Sequence, residues 1–155
     1  MSTEVPLSSF LRYRKGKPPR GIGSTSQPQL PVLSPEYLRG AGKPELTASA
    51  LHGVPLDGEE IVLLWDGSNA GEFFRAKRGL LASTMVAFDF DDTEIEKDYL
   101  FYELKRFEPA LKALTSGSGI PHVDKEILLT RRIRKPHRAA QKKNLRSALS
   151  NGPSY

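Results

Sequence analysis

The pentapeptide Ile-Val-Leu-Leu-Trp, residues 61–65, is the longest apolar run in the chain of 155 residues. The turn-type dipeptides Asp57-Gly58 and Asp66-Gly67 stand on either side of it. A short apolar run with β-branched residues between two turns is typical of a buried β-strand. The run is also far shorter than the ~20 apolar residues of a membrane-spanning helix, so we expect no transmembrane segment.

The sequence predicts two further strands after this one. The apolar run at residues 80–90 contains Thr84, Val86 and Phe88, which favour a strand over a helix. A short apolar stretch at residues 127–129 predicts the other strand. The residues between the first two strands, 70–78, predict a short helical turn.

A helix is predicted from Glu94 onward, because apolar residues recur there at intervals of three to five positions. The stripe consists of Ile95, Tyr99, Tyr102, Phe107, Leu111 and Leu114. Asp92 or Thr93 can cap its start. Pro109 removes a backbone donor inside the stripe, so the sequence predicts a kink or a break near Phe107.

The first fifty residues contain seven prolines and five glycines, spaced so closely that no useful helix fits between them. Because proline lacks an amide donor and restricts its predecessor, we expect an extended or irregular arm. Within this arm Phe10 and Tyr13 alternate with cations, which are Arg12, Arg14, Lys15 and Lys17. Aromatic rings among cations can stack on unpaired bases while the charges contact phosphates.

The net charge of +5 conceals three segments of different sign. Residues 1–44 carry 7 basic and 2 acidic side chains, residues 45–124 carry 7 and 15, and residues 125–155 carry 9 and 1. An acidic middle between basic ends indicates contact with polyanions, with acidic protein surfaces or with another copy of the chain. We predict an α+β fold with a Pro-rich arm (1–50), an acidic central domain (51–124) and a basic, partly helical extension (125–155).

The extension carries the main nucleic-acid signal, because a final helix is predicted from Pro136 toward Gly152 and cations follow one of its sides. The predicted contact residues are Arg131, Arg132, Arg134, Lys135, Arg138, Lys142, Lys143 and Arg146. They predict contacts with phosphates rather than with bases. A solvated surface helix and a nuclear-import signal are alternative interpretations of the same residues.

Residues 85–93, MVAFDFDDT, resemble the first motif of the haloacid dehalogenase-like phosphatases, in which an apolar strand ends in Asp-x-Asp-x-Thr. The resemblance implies Asp89 as phosphoryl acceptor, Asp91 as general acid and Thr93 as the matching threonine, around Mg²⁺. Glu94 departs from the apolar residue that usually follows, and the chain after Thr93 is short for the Rossmann-like sheet of that family. In the alternative interpretation, these carboxylates are the acidic entrance to the following helix.

The composition narrows the classes of function. The chain has no cysteine, which excludes disulfide scaffolds, thiolate nucleophiles and Cys-ligated zinc. Its three histidines, His52, His122 and His137, are far apart, so we expect no metal and no other cofactor. The N-terminus, with Glu4 and Pro6, lacks a secretory signal, so we expect an intracellular protein.

Taken together, these features predict a structural, non-enzymatic component of a nucleoprotein assembly, such as a virion or a ribosome-like particle. In a virion it would be associated with the matrix or capsid. Its basic ends would bind RNA or another polyanion, and its acidic domain would contact protein neighbours, among them copies of the same chain. The alternatives are a protein-interaction adaptor that binds no nucleic acid and the phosphatase.

Overall fold

A computed structural model of the chain describes residues 3–18, 29–47, 53–115 and 119–151. The strands in these ranges are β1 (Thr3–Pro6), β2 (Leu11–Lys15), β3 (Leu30–Leu33), β4 (Leu46–Thr47), β5 (Pro55–Asp57), β6 (Ile61–Leu64), β7 (Phe73–Arg75), β8 (Arg78–Leu81), β9 (Met85–Phe90) and β10 (Arg132–Lys135). The helices are α1 (Pro35–Leu38), α2 (Lys97–Thr115), α3 (Lys125–Thr130) and α4 (Arg138–Asn151), and a 3₁₀ turn covers Leu7–Ser9.

The strands form two four-stranded sheets and one two-stranded ribbon. The central sheet has the order β2-β9-β6-β7 and is antiparallel throughout. The second sheet has the order β4-β3-β8-β5, in which β3 and β8 are parallel. The ribbon pairs β1 with β10, so that Thr3 lies opposite Lys135.

Strand β6 explains why the apolar run at residues 61–64 has no polar alternation. Ile61 and Leu63 pack in the core that the central sheet forms with α2, whereas Val62 and Leu64 pack in a second core against the other sheet. All four side chains are at least 96% buried. A strand covered on both faces needs apolar residues at every position. The fold is therefore three layers deep, with α2, the central sheet and the second sheet in that order.

The α+β class and three of the predicted elements are confirmed. Strand β6 matches the predicted strand, α2 matches the periodic helix, and α4 matches the final helix. The run at 80–90 is extended as predicted, but a turn at residues 82–84 divides it between β8 and β9.

Three local predictions are wrong. Residues 73–75 form β7 instead of a helical turn, because Phe73 and Phe74 enter opposite cores. Residues 125–130 form α3 instead of a strand, because the Asp124 carboxylate caps the first turn by accepting from the amide of Glu126. Helix α2 continues through Pro109, which is exposed, so the predicted break near Phe107 is wrong and a kink stays a prediction. No helix among the described ranges is long and apolar enough to cross a membrane.

The Pro-rich arm and the basic extension are not confirmed as separate appendages. Leu7 and Leu11 are buried in the core beside α2, and β2 and β3 belong to the two sheets. Ile133 of β10 is buried in the same core. Proline disfavours the interior of a helix but is compatible with the end of a strand, as at Pro6 of β1, so the proline spacing did not exclude strands. The boundaries at residues 50 and 124 stay a prediction.

Candidate nucleic-acid interface

Three loops meet where β6 ends and β9 begins, and we call residues 65–71, 82–84 and 119–124 the loop cluster. The amide of Trp65 donates to the carbonyl of Thr84 at 2.8 Å, and the carbonyl of Trp65 accepts from the amide of Val123 at 2.8 Å. The amide of Gly67 donates to the carbonyl of Pro121 at 3.0 Å. Backbone bonds thus hold segments together that are up to 58 residues apart in the chain.

The end of β2 adjoins the loop cluster. Gly16 donates its amide to the carbonyl of Met85 at 2.9 Å, and a Cβ at this position would overlap the carbonyl oxygen of Ala82. The ring of Tyr13 stacks on that of Trp65, with centroids 5.0 Å apart and an interplanar angle of 27°. Because Gly16 contacts the loop cluster, the next residue, Lys17, is an exposed cation beside it.

The loop cluster presents side chains that can donate and accept hydrogen bonds. Ser68, Asn69 and His122 are exposed. Together with Ser83 and Thr84, Ser68 and Asn69 line a cleft of about 390 Å³. Hydroxyl, amide and imidazole groups of this kind match the donors and acceptors on base edges in a DNA groove.

Two carboxylates beside this cleft are paired with cations, whereas Glu36 and Glu45, which also line it, form no ion pair in the described ranges. Asp66 forms an ion pair with Lys15. Glu72 accepts two hydrogen bonds from the Arg39 guanidinium, at 2.7 and 3.2 Å. These hydrogen bonds raise the pKa of Arg39 above its ordinary value, although partial burial opposes the shift. A negatively charged backbone that approaches this end of the domain would therefore meet little net charge from Asp66 and Glu72, but it would also meet the carboxylates of Glu36 and Glu45.

The predicted cations of β2 are divided between two environments. Lys15 and Lys17 lie beside the loop cluster, as described above. Arg14 instead forms a bidentate pair with Asp89, with N···O distances of 2.8 and 3.0 Å, and Arg12 lies opposite Asp89 in the sheet register. The structure thus brings only the lysines of this group to the cluster.

The predicted cations of the C-terminal segment lie along the first half of α2 and on α4, with Arg131 nearest the middle of α2, over the ring of Phe107. The start of α2 is marked by Gln141 of α4, whose side chain binds the backbone of Glu94 and Glu96, whereas the Thr115 hydroxyl at the far end donates to the carbonyl of Ala70 in the loop cluster. Helix α2 has 19 residues, so the two ends are about 28 Å apart.

These C-terminal cations do not form one surface. Arg131, Arg132 and Arg134 line a groove between α2 and α4, whereas Lys135 lies 3.5 Å from the carboxylate of Glu94. Arg138 lines a different pocket, which contains several carboxylates. The remaining three, Lys142, Lys143 and Arg146, are exposed on α4.

The carboxylates of the phosphatase-like motif form an ion pair and hydrogen bonds that do not suit phosphoryl transfer. Asp89 is paired with Arg14. Asp91 accepts hydrogen bonds from the amide and hydroxyl of Thr93, at 2.9 and 2.6 Å, and these bonds lower the pKa of its carboxyl. No group of three potential metal ligands is found within the described ranges. The resemblance to the phosphatases is therefore wrong, and the turn before α2 accounts for the motif.

Sequence reasoning missed Ser68 and Asn69. The Asp66-Gly67 dipeptide did indicate a turn at this position, but it could not show which other loops would lie beside it. His122 was considered only as a metal ligand.

Known proteins similar to this chain share one description. The family "Type I restriction modification DNA specificity domain" matches residues 4–147. The specificity subunit of the type I restriction enzyme MjaVIII from Methanocaldococcus jannaschii is 40% identical over 139 residues, which are 89% of this chain and 33% of that protein. The chain thus spans about a third of this curated relative.

Solved structures show the same fold. The S subunit of a type I restriction-modification system from M. genitalium has a TM-score of 0.69 at 14% identity, over 95% of this chain and 38% of that one. The HsdS subunit from Thermoanaerobacter tengcongensis has a TM-score of 0.69 at 18% identity, over 94% and 36%.

These matches overturn the predicted function and partners. A family described by DNA specificity in restriction and modification leaves no support for an RNA-binding structural component of a virion or a ribosome-like particle, nor for the phosphatase. The charge segmentation suggested RNA because cationic segments meet any polyanion and do not identify it.

Proposed function

Because this chain belongs to the family of type I restriction modification DNA specificity domains, we propose that it is a DNA-recognition domain that binds duplex DNA with sequence preference and is itself non-catalytic. The observation that carries this proposal is the loop cluster. Side chains suited to base edges converge there on a rigid support of backbone hydrogen bonds and a buried strand.

In this proposal base reading depends on Asn69, Ser68 and His122. The amide of an asparagine can donate to and accept from the same adenine edge, which makes the pair specific for that base. A hydroxyl or an imidazole can contact either kind of base pair. Since all three side chains lie on loops, their identities can vary without loss of the core.

Contact with phosphates falls mainly to Lys17 and Lys15 in this proposal. Lys17 is exposed and has no ion pair in the part of the chain that the structure describes. Lys15 forms an ion pair with Asp66, so it contributes less to phosphate binding. Phosphate contacts fix the position of the domain on the duplex and carry no direct sequence information.

Cleavage and modification of DNA are assigned in this proposal to proteins or domains outside this chain. The chain spans about a third of the M. jannaschii relative, so the activities of a whole specificity subunit are not assigned to it. Membership of the family supports the intracellular location that the sequence predicts, because restriction and modification act on DNA inside cells.

The test is selection from a library of duplexes with a randomised central segment, followed by fluorescence anisotropy with the selected duplex. We expect the wild type to enrich one sequence and to bind it at least ~10³-fold more tightly than unrelated DNA. Asn69→Ala should relax the preference at one or two base positions, at a cost of about 1–3 kcal/mol. Lys17→Ala should weaken all sequences alike and lower the slope of log affinity against log salt by about one.

Arg78→Ala is the matched control. Arg78 is an exposed cation at the start of β8, at the opposite end of that strand from the loop cluster. This change should leave both affinity and preference within twofold of the wild type. Enrichment of no sequence, or equal losses for Lys17→Ala and Arg78→Ala, would refute the proposal.

A further inference from the structure

A polar groove of about 530 Å³ lies between α2, α4 and the ribbon of β1 and β10. Its volume falls within the range of roughly 300–1,000 Å³ that is usual for ligand sites. Helix α2 contributes Tyr99, Tyr102, Glu103 and Arg106 to its walls. The groove follows α2 from Tyr99 to Arg106, which is the first half of the helix.

The arginines of the groove lack carboxylate partners in the described ranges. No ion pair there joins Arg131, Arg132 or Arg134 to an acidic side chain. Arg131 lies over the ring of Phe107, with its guanidinium carbon 4.6 Å from the ring centroid, and Arg132 donates to the backbone carbonyl of Glu4 at 2.8 Å. These contacts orient Arg131 and Arg132, and the charge of Arg131 and Arg134 is offset only in part, by the nearby carboxylate of Glu103.

Only two carboxylates face the four arginines of the groove. Glu103 lies 3.4 Å from Arg106 and is mostly buried, and Glu4 lies opposite Arg134 in the ribbon. Two carboxylates cannot neutralise four arginines, so the groove retains a net positive charge. The guanidinium fork matches the two oxygens of a carboxylate better than an ammonium group does.

The remaining walls suit a polypeptide. Leu145 and Ala148 supply apolar surface, and Tyr102 supplies an aromatic ring beside it. The ring and methyl groups can pack against the stem of a glutamate or against a small apolar side chain between two acidic ones.

We propose that this groove is a docking site for an acidic segment of a partner protein, bound in extended form with its carboxylates on Arg132 and Arg134. A duplex is too wide to enter a groove between two helices, so its phosphates would reach only the rim. The groove runs along α2 as far as Arg106, which lies nine residues, or about 14 Å, before the end of α2 at the loop cluster. The groove and the loop cluster share no residue, so one domain can hold DNA at the loop cluster and an acidic protein segment in the groove.

The test uses a fluorescein-labelled dodecapeptide of alternating Glu and Ala, titrated with the whole chain and followed by anisotropy. We expect saturable binding to the wild type and at least tenfold weaker binding of the same peptide with Gln in place of Glu. The double change Arg132→Gln and Arg134→Gln should weaken the acidic peptide at least tenfold. Ala148→Phe, which obstructs the groove and leaves the charge unchanged, should do the same.

The matched control is Lys142→Gln with Lys143→Gln, which removes the same charge from the exposed side of α4. It should weaken the peptide less than twofold. Circular dichroism and the unfolding midpoint establish that each variant is folded. Equal losses in the control, competition of the peptide by a 20-bp duplex, or light scattering that shows a dimer formed through the groove would each overturn the proposal.

Discussion

Gln141 is buried completely although it stands among cations on a polar helix. Its amide nitrogen donates to the carbonyl of Glu94 at 3.1 Å and to that of Pro136 at 2.8 Å. Its amide oxygen accepts from the backbone amide of Glu96 at 2.6 Å. One side chain therefore satisfies three backbone groups and joins α4 to the turn before α2.

We expect Gln141→Met to lower the free energy of unfolding by about 2–4 kcal/mol. Methionine keeps the volume, but it leaves one amide and two carbonyl groups buried without partners. Urea unfolding followed by circular dichroism measures the change. Lys143→Met, an exposed position on the same helix, should stay within about 0.5 kcal/mol of the wild type. If Gln141→Met lowered the free energy of unfolding by no more than about 0.5 kcal/mol, that result would contradict the structure.

Glu103 gives the domain a dependence on pH. Burial raises the pKa of its carboxyl above the ordinary value, although Arg106 partly offsets the effect. Since the folded state binds this proton more tightly than the unfolded state, stability falls as the pH rises through the raised pKa. Glu103→Gln should therefore unfold at a higher urea concentration than the wild type at pH 7.

The stabilities of the wild type and of Glu103→Gln have to be compared at several pH values. The advantage of Glu103→Gln should shrink as the pH is lowered through the raised pKa and should disappear below the ordinary pKa of glutamate, where both states are protonated. Glu126→Gln, at an exposed glutamate in the first turn of α3, provides the control and should show no such trend. An advantage that is the same at pH 4 and pH 7 would contradict the assignment.

None of these residues was evident from the sequence, for one physical reason. A glutamine near lysines has the composition of a solvated surface, and only the approach of Glu94 and Glu96 buries it. The same holds for Asn69, whose neighbours in the loop cluster come from distant segments. Hydrogen bonds between remote residues leave no periodic pattern.

At the scale of elements, α2 is the one whose sequence pattern and structure agree most closely, except at Pro109. The helix runs on through this residue, so the proline must be accommodated at a cost. We expect Pro109→Ala to raise the free energy of unfolding by about 2 kcal/mol. This value combines the ~3 kcal/mol helix penalty of proline with the smaller entropy that proline removes from the unfolded chain.

Thermal and urea unfolding of Pro109→Ala measure that gain. Ala110→Gly, at the next exposed position of α2, should lower stability by about 1 kcal/mol if the helix is regular there. A break near Phe107 would make both changes nearly neutral, which is the outcome that contradicts a continuous helix.

The elements that were predicted correctly and those that were not depend on different interactions. Strand β6 and helix α2 each bury a repeated apolar pattern that is visible in the sequence. Strand β7 has three residues and α3 has six, so too few positions exist to show a period. Their type is decided by what lies beside them, which is β6 for β7 and the Asp124 cap for α3.

At the scale of the whole molecule, the two ends of the sequence are joined in the fold. Strand β1 pairs with β10, and β2 forms an edge of the central sheet. The charge segments of the sequence are therefore not spatial units. The basic residues near the N-terminus divide between the loop cluster and the outer face of β2, and those near the C-terminus surround α4.

A chain that begins at Lys17 should therefore fail to fold. It loses Leu7 and Leu11, each worth roughly 1.5–3 kcal/mol of apolar burial, together with the pairing of β2 to β9. This sum is comparable with the ~5–15 kcal/mol that stabilise a typical domain. We expect no cooperative unfolding transition by circular dichroism.

A single Leu7→Ala change should retain the transition and lower the free energy of unfolding by about 2–5 kcal/mol. Arg12→Ala, at an exposed position, should lower it by less than about 0.5 kcal/mol. An unchanged midpoint in the shortened chain would mean that residues 1–16 form a separate arm after all.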